Sequence, residues 1–365
     1  MEQNKQALPK SMSGVVLTGH GGLDKLEYRT DLVVPTPAQD EVVIKVGAAA
    51  VNNTDINTRI GWYSKSVSEQ TDTGALNGFE GVNDSDASWS GDALNFPLIQ
   101  GADCCGVIVA VGANVDQKRI GERVLVRSIQ QVGESADYIC QTFGSECNGS
   151  FAEYTKALSR EAFAVESKLT DSELASFPCS YSTAEGMIER ANVAASDTVL
   201  ITGASGGVGS AAIQLAKRRG AKVIAICSDS KREQILAIGA DEVISREQNL
   251  LTVLGDESVD VVIDLVAGSE WGKLLTVLRR GGRYSVAGAI AGPMVELDVR
   301  TLYLKDLTFF GCTFQPKSVF TNLISYIERG EIQPLVSKEY LLKNIQFAQQ
   351  DFMAKKFVGK LVLLP

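Results

Sequence analysis

The first third of the chain alternates short, β-branched apolar runs with Gly and Pro: VVLTG (15–19), EVVIKVGAAAVN (41–52), GVIVAVG (106–112) and ERVLVRS (122–128). This pattern predicts strands and a small, mostly β domain. From residue 197 the rhythm changes. DTVLITG, AKVIAICS, DEVIS, DVVIDLVAG, RYSVAGAI and DLTFFGCTF are near-continuous apolar runs. Between them lie amphipathic stretches such as SAAIQLAKRRG, KREQILAIGA and WGKLLTVLRRGG. Strands apolar on both faces, alternating with helices, predict an α/β unit with a doubly wound parallel sheet covered on both sides. SVFTNLISYIERG predicts a helix, and GKLVLLP a closing strand.

Two segments depart from this pattern. Residues 64–96 are rich in Ser, Asp, Asn and Gly and carry six acids against one lysine. A loop that long is either a disordered insertion or a functional element such as a lid over a pocket. Asp84 and Asp86 lack the spaced acid and glycine pattern of a calcium loop. The N-terminal MEQNKQALPKSMSG is polar, is expected to be partly disordered, and has no apolar core of the kind a signal peptide needs. No apolar run approaches the ~18 residues of a membrane span.

Charge and composition narrow the function. A net charge of −9 argues against a general nucleic-acid or anionic-membrane partner. Seven cysteines, an odd number in a long chain, read as reduced thiols of a cytoplasmic protein. There is a single histidine, His20, in the Gly-rich TGHGGLDKLEYR, which reads as a hairpin turn. Zinc sites that hydrolyse substrates or oxidise alcohols usually take an imidazole, and Ser-His-Asp catalysis requires one.

The most specific signal is VLITGASGGVGSAAIQLAKRRGAKVIAI. A strand ends at Thr202, and Gly203, Gly206, Gly207 and Gly209 turn the chain tightly into a helix. Glycines let backbone approach phosphate, and a helix N-terminus offers free N–H groups and a positive dipole end. Strand before, helix after and a second strand beyond predict a dinucleotide pyrophosphate site, and the missing Walker lysine excludes a P-loop. The second strand ends in AICSDSKREQ. Asp229 there argues for NAD; Ser228, Lys231 and Arg232 argue for NADP, and Arg246 adds a second cation. Ser230 and Glu233 also fit a capping box, which would give Asp229 a role near the helix dipole without any ribose. The balance favours NADPH.

Together, GHGGLDKLEYR, VNNTDINTRIGWY, QGADCCGVIVAVG, GERV, GSFAEY, ITGASGGVGSAAIQLAK, GGRYSVAG and GKLVLLP resemble the medium-chain dehydrogenase/reductase superfamily. The nearest branch is similar to its zinc-independent quinone oxidoreductases and enone reductases. The resemblance runs from about residue 13 to 365, apart from 64–96 and a stretch near 129–148. It implies a GroES-like mostly-β catalytic domain (1–175 and 315–365) and a Rossmann NADP(H) domain (176–314). In zinc-dependent members a Cys, a His and a Cys or Asp hold the metal where this chain has Asp55, Ala102 and Cys179. Asp103 falls where those members place a carboxylate that supports the ligands or occasionally joins them. One thiol and carboxylates without imidazole make a poor catalytic zinc site. Cys104 and Cys105 read as small buried hydrophobes, and Cys140 and Cys147 alone do not close a structural site. No metal is expected.

Without a Lewis acid, an unactivated alcohol is a hard substrate, whereas a quinone or α,β-unsaturated carbonyl is already electrophilic. The resemblance implies that Asn52, Asp55 and Tyr63 line the pocket, with Asn52 and Tyr63 as neutral donors to a developing oxyanion. The ordinary alternatives are a turn residue, a helix cap and a wall. For the cofactor it implies Gly203, the loop Ser205, Gly206, Gly207 and Val208, then Thr183, Ser228, Lys231 and Arg246. It adds the backbone at Val266–Gly268 and at Gly288 and Ala289, FFGCTF, and the closing segment from Phe357 through Gly359 to Lys360. The expected protein is a homodimeric NADPH-dependent quinone or enone reductase. The alternatives are an alcohol or aldehyde dehydrogenase with a degenerate metal site, and an NADPH-binding sensor without turnover.

Overall fold

The computed structural model describes residues 8–132 and 138–365. The expected disorder of the N-terminal stretch therefore falls mostly outside the described residues, although Ser11–Leu17 is a strand. That strand pairs antiparallel with Leu26–Val33, and the GHGG segment forms their turn, as the sequence predicts.

The first domain is built on a seven-stranded sheet. Its strands run in the order Val336–Leu341, Lys360–Leu364, Glu41–Ala50, Cys105–Val111, Arg123–Val126 and Ala162–Ala164, with Tyr154–Leu158 also pairing with Glu41–Ala50. GKLVLLP thus returns the C-terminus to the first domain: Leu363 pairs with Ala49 and Val362 with Ala50. Cys104 and Cys105 are fully buried where their strand begins and pack in the core, the Cys105 thiol also reaching Asp171 Oδ1 at 3.6 Å.

The second domain holds a six-stranded parallel sheet: Glu242–Ser245, Lys222–Cys227, Thr198–Ile201, Val259–Asp264, Leu278–Val286 and Thr308–Gly311. The chain starts in the middle, at Thr198–Ile201, winds outward to one edge and then returns to build the other. Val199, Leu200 and Ile201 are buried on both faces, each worth about 1.5–3 kcal/mol of burial. This is why the run carries no polar alternation. Helices Pro178–Arg190 and Gly207–Arg218 pack on each other, and Lys317–Glu328 packs on Pro178–Arg190 in the same core.

The insertion 64–96 is folded onto the first domain. Gly61 ends the helix Asn53–Ile60 in a left-handed conformation, and a Cβ there would meet Val82 of the insertion at 2.6 Å. Arg59, fully buried, donates to Ala75 O at 2.6 Å, Gly21 O at 2.8 Å and Gln349 Oε1 at 2.8 Å. His20 does more than turn a hairpin. Its Nδ1 lies 2.9 Å from Thr58 O, and its ring meets Phe96 edge-on. In the second departing stretch, Ile129–Gln131 and Cys140–Thr142 form a hairpin whose residues 133–137 lie outside the described set. Among the described residues, no helix is long and apolar enough to cross a membrane.

Candidate active site and cofactor cradle

The strand Glu41–Ala50 delivers Asn52 to the start of the helix Asn53–Ile60. Asp55, three residues on, accepts the Asn52 backbone N–H at 2.7 Å and so caps its own helix. Burial pushes the Asp55 carboxyl up to about 7; the Asn52 N–H and the Lys360 charge pull against that, and Asp103 adds to it. At neutral pH this carboxyl is therefore partly protonated.

Asn52 is held on three sides. Its Nδ2 donates to Asp103 Oδ2 at 2.7 Å and to Ala50 O at 3.2 Å, which commits both amide hydrogens within the protein. Its Oδ1 accepts from Lys360 Nζ. Lys360 also pairs with Asp103 Oδ2 at 2.8 Å, both side chains being sealed from solvent. The other carboxylate oxygen, Asp103 Oδ1, accepts the Cys179 backbone N–H at 2.6 Å, within the first turn of Pro178–Arg190. Burial, and then the charge of Asp103, raise the Cys179 thiol far above its ordinary value. It is a neutral thiol, poor both as a nucleophile and as a metal ligand.

The three positions at which the resemblance implies metal ligands hold Asp55, Ala102 and Cys179, and the neighbouring Asp103 is bonded to an ammonium group. Cation and metal would compete for the same carboxylate, and there is no imidazole. This donor set does not fit catalytic zinc. Among the described residues, no group of three or more His, Cys, Asp or Glu side chains is arranged to hold a metal ion.

Tyr63 lies just beyond that helix. Its hydroxyl donates to Thr54 Oγ1 at 3.1 Å, and its ring packs at 5.2 Å from the Trp89 ring of the insertion. Burial raises its phenol well above the usual value, so it stays neutral.

Several of the residues expected to hold the cofactor lie around the glycine loop. Gly203 takes a left-handed φ of 57°, which a side chain would resist. The helix Gly207–Arg218 begins directly after Gly206 and presents its N-terminus there. A Cβ on Gly207 would lie 2.5 Å from Ser180 Oγ and 3.0 Å from Lys360 Cδ. The loop is thus pressed against the polar cluster. The loop and the C-terminal segment are bonded together. Gly359 N donates to Ser205 O at 3.1 Å, and Lys231 Nζ reaches Ser205 Oγ at 3.2 Å and Phe357 O at 2.8 Å. Lys231 is held below an ordinary lysine by burial, with the charges of Arg246 and Lys355 adding to the effect. Lys231 thus sits just past the end of the second strand, with Arg246 and Lys355 near enough for their charges to act on it. Asp229 is half engaged by Arg232 at 3.5 Å. The alternative capping box does not form: the helix Arg232–Ala237 has no side-chain cap, and Ser230 Oγ contacts Ser228 Oγ at 3.2 Å instead.

On the other side of the loop, Val266 N and Ala267 N donate to Asp264 Oδ1 at 2.9 and 3.2 Å. The buried Asp264 also accepts from Thr202 Oγ1 and Tyr284 OH, both at 2.6 Å. It fixes the Val266–Gly268 turn and was not singled out from the sequence; an acid ending an apolar strand beside the glycine loop was the available signal. Gly288 packs on Leu265, where a Cβ would lie 3.0 Å from its carbonyl. Thr183 is half-buried on the helix Pro178–Arg190. The roles of Lys355 and Asp103 in joining these groups were likewise not apparent from the sequence.

A parallel sheet with a glycine-rich crossover, docked on a GroES-like β domain, defines a two-domain nicotinamide-dependent oxidoreductase. The chain belongs to the medium-chain dehydrogenase/reductase superfamily: the family descriptions "Alcohol dehydrogenase GroES-like domain" and "Zinc-binding dehydrogenase" match residues 38–167 and 207–329. Human quinone oxidoreductase is 28% identical, with 97% of this chain and 98% of that protein aligned. The chloroplastic NADPH-dependent alkenal/one oxidoreductase of Arabidopsis thaliana is also 28% identical, over 98% of this chain and 81% of that protein. A solved structure from Sinorhizobium meliloti 1021, carrying a provisional alcohol dehydrogenase name, is 46% identical. It has a TM-score of 0.87 and covers 99% of this chain and 98% of its own.

Proposed function

We propose that this chain transfers a hydride from NADPH to a quinone or an α,β-unsaturated carbonyl without a catalytic metal. The observation that carries the reading is the Lys360 ammonium bonded to Asp103 and Asn52 in place of a zinc-binding set. The cofactor, when bound, supplies the hydride; the chain's own residues bind, orient and protonate. Lys231, Arg246 and Lys355 form a cationic end to the cradle suited to a 2′-phosphate. Asp55, partly protonated near neutrality, is the group this reading assigns to supply the proton that must follow the hydride. Tyr63 OH, a neutral hydroxyl bonded to Thr54, is the side-chain donor this reading assigns to the acceptor oxygen. Asn52 serves as a strut whose donors are already used. The names of the human and Arabidopsis relatives point to the same acceptor classes.

A second reading, an alcohol or aldehyde dehydrogenase, is favoured by the name of the Sinorhizobium neighbour. A panel assay separates the two. Chelator-treated protein is offered quinones, enones, aldehydes and alcohols, with NADPH and NADH in parallel. NADPH oxidation by quinones or enones supports the proposal; turnover confined to alcohols or aldehydes, and restored by zinc, favours the second reading.

We also propose a homodimer. Among the described residues Thr308–Gly311 is the edge strand of its sheet, and the neighbouring helix Val299–Leu304 buries none of its residues while exposing Val299, Tyr303 and Leu304. A second copy adding strand to strand would cover both. Light scattering that gives twice the chain mass is the expected result; a monomer at micromolar concentration would reject it.

A further inference from the structure

The insertion 64–96 reaches the cofactor cradle at two points. Thr71 N donates to Ile290 O at 3.2 Å, next to Gly288 and Ala289. Asp72 pairs with Lys355 at 2.7 Å, two residues before Phe357, whose carbonyl accepts from Lys231. Lys355 has a left-handed φ of 51°. That conformation is uncommon for a residue with a side chain and persists only where the surroundings impose it. Lys231 is hydrogen-bonded to neutral groups, Arg246 is exposed, and Asp72 provides a counter-charge to this group through Lys355. The pair is half-exposed, with side-chain exposures of 37% and 47%. A pair of that kind is weakly held and can be exchanged for a doubly charged phosphate.

We propose that Asp72 is a specificity-determining residue: an internal anion that occupies Lys355 until the 2′-phosphate of NADPH displaces it. The inference rests on the NADPH reading above. NADH brings no such phosphate and leaves the Asp72–Lys355 pair in place. The insertion thereby lowers the affinity for NADPH from within the chain and leaves that for NADH alone. Arg59 and the Gly61–Val82 contact keep the rest of the insertion anchored while the pair exchanges.

The test is a fluorescence titration of the full chain with NADPH, NADH, 2′,5′-ADP and 5′-AMP. Asp72→Asn is expected to tighten NADPH and 2′,5′-ADP roughly two- to five-fold and to leave NADH and 5′-AMP unchanged. Lys355→Met is expected to weaken only the 2′-phosphorylated ligands, and adding Asp72→Asn to it to bring no further change. A purely structural role for the pair would shift all four ligands together, and that result overturns the proposal. So does an unchanged NADPH affinity in Asp72→Asn. Lys231→Glu separates the two levels. If it abolishes the preference for 2′-phosphate while Asp72→Asn does nothing, only this inference fails. If wild type shows no preference and Lys231→Glu affects both cofactors alike, the NADPH reading fails and this inference falls with it.

Discussion

Lys360 and Asp103 form an ion pair of 2.8 Å with 3% and 0% of their side chains exposed, at the junction of the C-terminal strand, the glycine loop and the active-site helix. Two charges so deeply buried are expensive to separate, because neither can return to water. Through Asn52 and the Cys179 N–H, the pair also fixes where the first domain meets the cofactor domain.

Replacing one partner leaves the other buried and unpaired. Lys360→Met should cost about 3–5 kcal/mol of stability in urea unfolding. Lys360→Met/Asp103→Asn should recover much of that loss, since no naked charge remains. A double variant no more stable than the sum of its single losses would show that the two side chains do not act as a pair.

Asp55 makes stability depend on pH in an unusual direction. Its folded value of about 7 lies above the ordinary carboxyl value of 3.8. Between these, the folded protein keeps a proton the unfolded chain has lost, so the contribution of Asp55 falls as pH rises from about 4 to about 7. Asp55→Asn keeps an acceptor for the Asn52 N–H and removes the titration. Its stability relative to wild type should climb across that window, by up to about 4 kcal/mol, and level off above it. Urea unfolding at pH 5 and pH 8 checks this; a difference that does not change with pH contradicts it.

Tyr63→Phe removes the hydroxyl bonded to Thr54 and keeps the ring against Trp89. The stability cost should be about 1 kcal/mol. Turnover should fall several-fold if the hydroxyl steadies the acceptor oxygen, with cofactor affinity unchanged. Full turnover would make Tyr63 a wall of the pocket and no more.

Gly207→Ala places a methyl group against Ser180 Oγ and the Lys360 stem. We expect about 1–3 kcal/mol of destabilisation and weaker binding of both NADPH and NADH, because the loop is pushed off the cradle both cofactors share. Thermal melts with and without cofactor measure both effects.

The fold was legible in the sequence where local rules are strong. The runs of Val, Ile and Leu at 198–201, 222–227 and 259–264 could only be buried strands, and Gly203 to Gly209 could only be a tight strand-to-helix turn. The individual members of the site were legible in part: Asn52, Asp55, Lys231 and the glycine loop. Their connections were not. Lys360 stands in the sequence only as the end of the segment expected to close on the cofactor, and its bonds to Asp103 and Asn52 span 257 and 308 residues of chain (360 minus 103; 360 minus 52). No periodicity encodes such a contact. The insertion was opaque for a related reason. A polar segment carries no periodic burial pattern, and what orders it are scattered apolar anchors such as Phe79, Leu94 and Phe96 together with single bonds from Arg59, Trp62 and Lys355.

Metal-free hydride transfer from NADPH is the proposal on which the other site roles depend. The most direct measurement is the fate of deuterium from NADPH labelled at the reactive carbon of its nicotinamide, with an enone acceptor and protein shown by mass spectrometry to contain no zinc. One deuterium is expected in each reduced product, formed in step with NADPH oxidation, at a rate that added zinc does not raise. Turnover that appears only when zinc is restored would contradict it.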